Sequence, residues 1–312
     1  MARFWRYAVG GLLLLAGTGC GGGPPPPASG TLDPADVDGD RAFALVEGLI
    51  GFSPREPGTE GGRRAAEWIA DRFREVGLDP EIDVFTDPTP DGPLEFRNVI
   101  ARRPGRTREI LLLGTHFDTK TGIGPNFVGA NDSGSSTGLV LELARVIMAS
   151  DLAGPEIWFV AFDGEEARVR YGPNDGLHGS RRLARQLVES GRADDVRAVI
   201  VLDMVGDRNL NVSIPANTTP ELRQLALEAA AARGHRRFFG LTRGHILDDH
   251  APFLERGMPA VLLIDFEYGS RPGLNDYWHT EEDTLDKLSP ESLRIVGEVT
   301  LDMLRRLTGV EP

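Results

Sequence analysis

Apolar residues recur along this chain with two different periods. Between Glu60 and Val76, Ala66, Ile69, Phe73 and Val76 fall at helical spacing and Gly77 ends the pattern, which predicts one amphipathic helix. Two short stretches, Glu81–Phe85 and Phe96–Arg102, read as edge strands. Three apolar runs then end in polar residues: Ile110–Gly114, Ile157–Phe162 and Ala198–Leu202. Helical patterns lie at Ser135–Met148, His178–Ser190 and Pro220–Arg233, with a short strand at Ala260–Ile264. Ser289 is placed to cap a last helix through Arg306, with Pro290 at its first position. Near-continuous apolar strands alternating with helices predict an α/β fold: a mostly parallel, doubly wound sheet in a single three-layer α/β/α domain. No internal repeat is visible. In such sheets ligands bind beyond the carboxyl ends of the strands.

The first residues follow another pattern. Arg3 and Arg6 precede an apolar segment from Ala8 to Ala16, then small residues, then Cys20. This reads as a signal peptide over residues 1–19, because the apolar stretch is shorter than the ~20 residues a bilayer span needs. Cys20 stands where a bacterial lipoprotein is cut and acylated, although Gly17 occupies the position where Leu is usual. A plain secretory signal is the alternative. The run from Cys20 to residue 35, which includes "GGGPPPPASG", reads as a flexible Gly/Pro tether before a folded domain over 36–312. The expected location is therefore extracytoplasmic, in the periplasm or on the cell surface, with a lipid on Cys20 as the contact with the membrane. Cys20 is the single cysteine, so no disulfide forms within the chain.

The candidate chemistry sits where the strands end. "GTHFDTK" closes the first apolar run and places His116 and Asp118 two apart, on one face if the strand continues. Asp163, Glu165 and Glu166 follow the second run, Asp203 follows the third, and a loop after Ile264 leads to Trp278 and His279. Asp132 stands in "GANDSGSSTG", before a helix. Each has an ordinary alternative: Asp132 as a helix cap, Asp203 as a solvated carboxylate, His279 as a turn residue, Glu165–Glu166 as a surface pair. Together at one sheet edge they make a metal site. Imidazole and carboxylate donors suit zinc, and the lack of a second thiol excludes a cysteine-type structural zinc site. His178, His235 and His245 have no such company and read as structural or exposed.

The ordered set H-x-D, G-A-N-D, D-G-E-E, L-D-M and W-H-T, from about Pro54 to Leu288, resembles the zinc aminopeptidases that share a fold with animal-type glutaminyl cyclases. The resemblance implies that Asp132 is the central or bridging ligand and that Glu166 and His279 complete the first metal. It implies that His116 and Asp203 hold a second metal, so that one or two Zn2+ ions are bound. It makes Asp118 an orienting partner of His116, Glu165 the proton shuttle, Asp248 a participant in substrate binding and proton relay, and Trp278 the wall against which the substrate side chain packs. Lys120 in "HFDTK", "FVGAND", "FDGEEA", "DGLHGSRRLA" and "DDHAPFLERG" lean toward cyclase; Asn131 and "HTEEDTLDKL" lean toward peptidase. The expected function is a glutaminyl-peptide cyclotransferase, converting N-terminal Gln to pyroglutamate with release of ammonia. A zinc aminopeptidase is the alternative, and a metal-binding surface protein without activity is a third reading.

Composition adds limits. Hydrophobic residues are 40% and charged residues 26% of the 312, the balance of a soluble globular protein. The net charge of −13 argues against nucleic acid and anionic lipid as partners. Peptide or protein N-termini are the expected substrates, and the expected state is a monomer.

Overall fold

The computed structural model describes Met1 and residues 31–309. The signal segment, Cys20 and most of the tether lie outside the described residues. The chain is already packed at Leu32 and Pro34.

In chain order the elements are α1 (Gly39–Ile50), α2 (Glu60–Glu75), β1 (Glu81–Thr89), β2 (Gly92–Arg103), β3 (Ile110–His116), α3 (Ser136–Met148), β4 (Glu156–Phe162), α4 (His178–Glu189), β5 (Val196–Asp203), β6 (Val212–Ile214), α5 (Pro220–Ala232), β7 (Phe239–Leu241), α6 (Ala251–Leu254), β8 (Ala260–Ile264) and α7 (Pro290–Leu307). The strands form one sheet in the order β1-β2-β4-β3-β5-β8-β6-β7. Its centre, β4-β3-β5-β8, is parallel. The β1–β2 hairpin is antiparallel and joins β4 antiparallel; β6 joins β8 antiparallel. Helices α1, α2, α3, α5 and α7 pack among themselves on one face, and α4 and α6 pack together on the other. No described helix is long and apolar enough to cross a membrane.

All residues of β3 are buried, as a strand covered on both faces requires. Asp38 caps α1 by accepting from the Arg41 amide, and Ala42, Val46 and Leu49 bury its inner face. That helix is absent from the periodicity reading above, as are β6, β7 and α6. Ser289 caps α7 through the Glu291 amide, with Pro290 in the first turn, as its sequence predicts.

One expectation is corrected. β2 is an interior strand: it pairs with β1 from Gly92 to Ile100 and with β4 from Val99 to Arg103. Its first half alternates in burial and Asn98–Ala101 is continuously buried, so a polar-looking start hid an interior strand. Helix α3, Ser136–Met148, agrees with its sequence reading within one residue, and the irregular turn Ala130–Ser135 before it holds Asp132 extended (φ −99, ψ 93).

Candidate active site

The four parallel strands present their carboxyl ends at one edge. His116 ends β3 and Asp203 ends β5. Glu165 and Glu166 follow β4 through Gly164, whose φ of +73 turns the chain and whose missing Cβ leaves room for the Phe96 ring. His279 arrives on the loop after β8, itself at a φ of 55. Asp132 comes from the irregular turn, and its side chain caps no helix.

Asp132 faces both imidazoles at once. Its Oδ1 lies 3.2 Å from His116 Nε2 and its Oδ2 lies 3.3 Å from His279 Nε2. His279 Nε2 also lies 2.8 Å from Glu166 Oε1, and His116 Nε2 lies 3.2 Å from Asp203 Oδ1. Two donor groups result, Asp132/Glu166/His279 and His116/Asp132/Asp203, each with ligand atoms within 4.8 Å of one another. Such nitrogen and oxygen donors fit a borderline divalent ion. Glu166 Oε2 is buried without a hydrogen-bond partner, and the Lys120 ammonium lies 3.5 Å from it.

The charges agree with a cation site. Burial opposes charge on His116, but Asp118, Asp132 and Asp203 outweigh it and hold its pKa well above the usual value. Burial likewise opposes charge on His279, and Asp132 and Glu166 lift it to about 9. Burial alone would raise Asp132, yet hydrogen bonds from the two imidazoles bring it below the usual carboxylate range. Carboxylates that hold protons on nearby imidazoles would hold a metal ion in their place.

Glu165 stands beside this centre without belonging to either donor group. Burial, then the neighbouring carboxylates Glu166 and Asp248, push its pKa well above the ordinary range against the pull of His116. Tyr171 donates its hydroxyl to Glu165, at 2.9 Å from Oε1 and 3.1 Å from Oε2. Asp118 lies 3.4 Å from His116 Nδ1, the ring nitrogen opposite the one that faces Asp132 and Asp203, and its carboxylate also accepts from the amides of Glu165 and Glu166, at 3.1 and 3.2 Å. Asp118 therefore holds the Glu165–Glu166 backbone, a task its spacing from His116 did not reveal.

Above the centre lies a cavity of about 250 Å³. Glu165, Asp203 and Asp248 contribute acidic groups to its lining; Trp278, Phe266, Tyr171 and Leu247 contribute apolar surface. Trp278 stacks on His279 with ring centroids 3.9 Å apart and meets Phe266 edge-on at 5.1 Å. Asp248 is buried, and burial and its acidic neighbours Asp203 and Asp249 raise its pKa well above the usual range. His245 is exposed, as expected, but it belongs to the cavity lining, which its sequence neighbourhood did not indicate. His178 is buried, stacked on Phe96 and bonded to Asp87, and His235 pairs with Glu298, both away from the centre. Tyr171, Leu247 and Phe266 were not foreseen, because they come from loops without a periodic signal.

A buried frame holds these loops. The Arg55 side chain is fully buried and donates to the carbonyls of Phe117, Val128 and Gly129, tying the loop after His116 to the turn before Asp132. Asn131 Oδ1 accepts from the Gly206 amide and Ser135 Oγ from the Val205 amide, which tie that turn to the loop after Asp203.

Residues 98–304 match the family profile described as Peptidase family M28. The chain belongs to peptidase family M28. A glutaminyl-peptide cyclotransferase-like protein of Bos taurus is 32% identical over 287 residues, 82% of this chain and 73% of that protein. The crystal structure of an Acidobacteriales bacterium glutaminyl cyclase superposes with a TM-score of 0.83 at 37% identity, covering 93% of this chain and all (100%) of that one. A Zn-dependent exopeptidase from Parabacteroides distasonis superposes with a TM-score of 0.77 at 25% identity, covering 88% and 98%. The solved structures similar to this chain thus include a glutaminyl cyclase and a Zn-dependent exopeptidase.

Proposed function

We propose that this protein is a zinc-dependent glutaminyl-peptide cyclotransferase. The observation that carries the reading is the cavity of about 250 Å³, walled by Trp278, Phe266 and Tyr171 with Glu165 and Asp248 in its lining. Aromatic walls and buried carboxylates beside the donor groups suit one N-terminal side chain with its α-amine. The greater identity to a glutaminyl cyclase than to an exopeptidase points the same way.

Asp132, Glu166 and His279 would hold the ion. A bound divalent ion supplies Lewis-acid polarisation of a carbonyl oxygen placed on it. The substrate's glutamine side chain lies along the Trp278 indole. Glu165 takes a proton from the α-amine as that nitrogen attacks the side-chain amide carbon. A C–N bond forms, the bond to the amide nitrogen breaks, and Glu165 returns the proton to the leaving ammonia. No water is consumed. Asp248 steadies the amine, and ring closure within one molecule supplies the proximity. A raised pKa on Glu165 suits a group that both takes and gives a proton near neutrality.

The donor group His116/Asp132/Asp203 favours a second reading. If it also holds an ion, Glu165 would take its proton from an attacking water and the protein would be an aminopeptidase.

Location is part of the proposal: export by the first residues and a lipid on Cys20 keep the enzyme outside the cytoplasm. Palmitate labelling that survives Cys20→Ser would refute the anchor.

The test offers purified zinc-loaded protein a glutaminyl peptide and a leucyl amide. Ammonia with a pyroglutamyl product is expected. Free leucine alone would favour the peptidase, and neither product from metal-loaded protein would exclude both.

A further inference from the structure

Asp283 lies in the same loop as His279 and is fully buried. Three consecutive amides of the turn that bears Asp132 point at this residue. The Ala130 amide donates to its backbone carbonyl at 3.3 Å, the Asn131 amide to Oδ1 at 2.7 Å and the Asp132 amide to Oδ2 at 3.1 Å. The Tyr268 hydroxyl also donates to Oδ1, at 2.8 Å, and the Asp283 amide closes its own turn on Thr280 at 3.1 Å. Among the described residues no Arg or Lys pairs with it. We infer that Asp283 is a positioning residue of the metal centre, fixing the separation of Asp132 and His279 by gripping one ligand's backbone from the other ligand's loop.

Only a carboxylate can accept from two adjacent amides, one on each oxygen. An amide side chain in its place would turn an N–H against one of these donors. Asp132 and His279 reach into the same donor group from loops far apart in sequence. A bond network that spans both loops sets how closely their ligand atoms approach. Partners of this kind behind metal ligands typically govern metal affinity by 10–100-fold.

The inference rests on the metal reading of Asp132, Glu166 and His279, so the test reads the metal and not turnover. Zinc affinity and release are measured with a chromophoric chelator, and the cobalt-substituted protein is followed by visible absorption. Asp283→Asn is expected to bind zinc at least ~10-fold more weakly, with shifted cobalt bands, while the metal-free protein melts within a few degrees of the parent. Glu282→Gln, at an exposed neighbouring position, is expected to match the parent. Parental zinc affinity and cobalt bands in Asp283→Asn would overturn the inference. If that variant does not fold, Tyr268→Phe removes a single bond to the same oxygen and should release zinc faster; an unchanged rate would overturn it. A parent protein that binds neither zinc nor cobalt would refute the metal centre itself, a result visible before any variant is made.

Discussion

Glu165 and Glu166 are adjacent in sequence, yet their surroundings divide them. Glu166 Oε1 faces His279, and it can share a cation with Asp132. Glu165 faces the cavity and the Tyr171 hydroxyl. Glu165→Gln keeps the shape and removes the proton acceptor. It should leave zinc content unchanged while lowering kcat by about 10²–10⁴-fold, read by metal analysis beside turnover; undiminished turnover would remove Glu165 from the chemistry. Tyr171→Phe keeps the ring as a wall and deletes one charge-assisted hydrogen bond. A drop of about tenfold in kcat with KM unchanged is expected. A change confined to KM would make Tyr171 a wall and no more.

The elements bring rigid strand ends and irregular loops to one place, and the loops need fastening. Arg55 is the main fastener between the loop after β3 and the turn before α3. Burial lowers its pKa to about 10, and the nearby Asp283, Asp118 and Asp132 partly offset that cost. Arg55→Met would leave the Phe117 carbonyl without a donor, while the Val128 and Gly129 carbonyls keep the Ser53 hydroxyl and the Gly134 amide. Such a loss costs about 1–3 kcal/mol, and a drop of that size is expected by urea unfolding. A loss under 1 kcal/mol would mean that water replaces the guanidinium. The strand ends were legible in the sequence because apolar runs stop abruptly at His116, Asp163 and Asp203. Arg55 was not, since "SPREPG" has no period and its partners are backbone carbonyls far away in the chain.

For the whole molecule, the buried imidazole of His250 links stability to pH. Its Nε2 lies 2.9 Å from the Asn217 carbonyl, to which it donates, and its Nδ1 is buried without a partner. Burial lowers its pKa to about 4. A depressed histidine contributes stability that is complete above the unfolded value near 6.5 and is lost as pH falls toward 4. The parent should lose on the order of 3 kcal/mol from this group across that window. His250→Gln should flatten the slope, measured by denaturant midpoints at pH 7 and pH 4.5. Equal slopes in both proteins would count against it.

Local pattern decided much at this scale. Periodicity and capping marked the central strands and the helices α2, α3, α4, α5 and α7, because an element covered on one or both faces must repeat its apolar residues at the spacing of its backbone. The ordered carboxylates and histidines marked the donor set, because strand ends in a parallel sheet share an edge. Folding alone decided that β2 is interior, that Asp132 faces both imidazoles, that Asp118 grips the Glu165–Glu166 backbone and that Asp283 joins two ligand loops. Those relations are distances between residues remote along the chain. They depend on loop paths set by backbone hydrogen bonds, which every residue type can make (proline as acceptor alone) and which therefore leave almost no trace in the order of side chains.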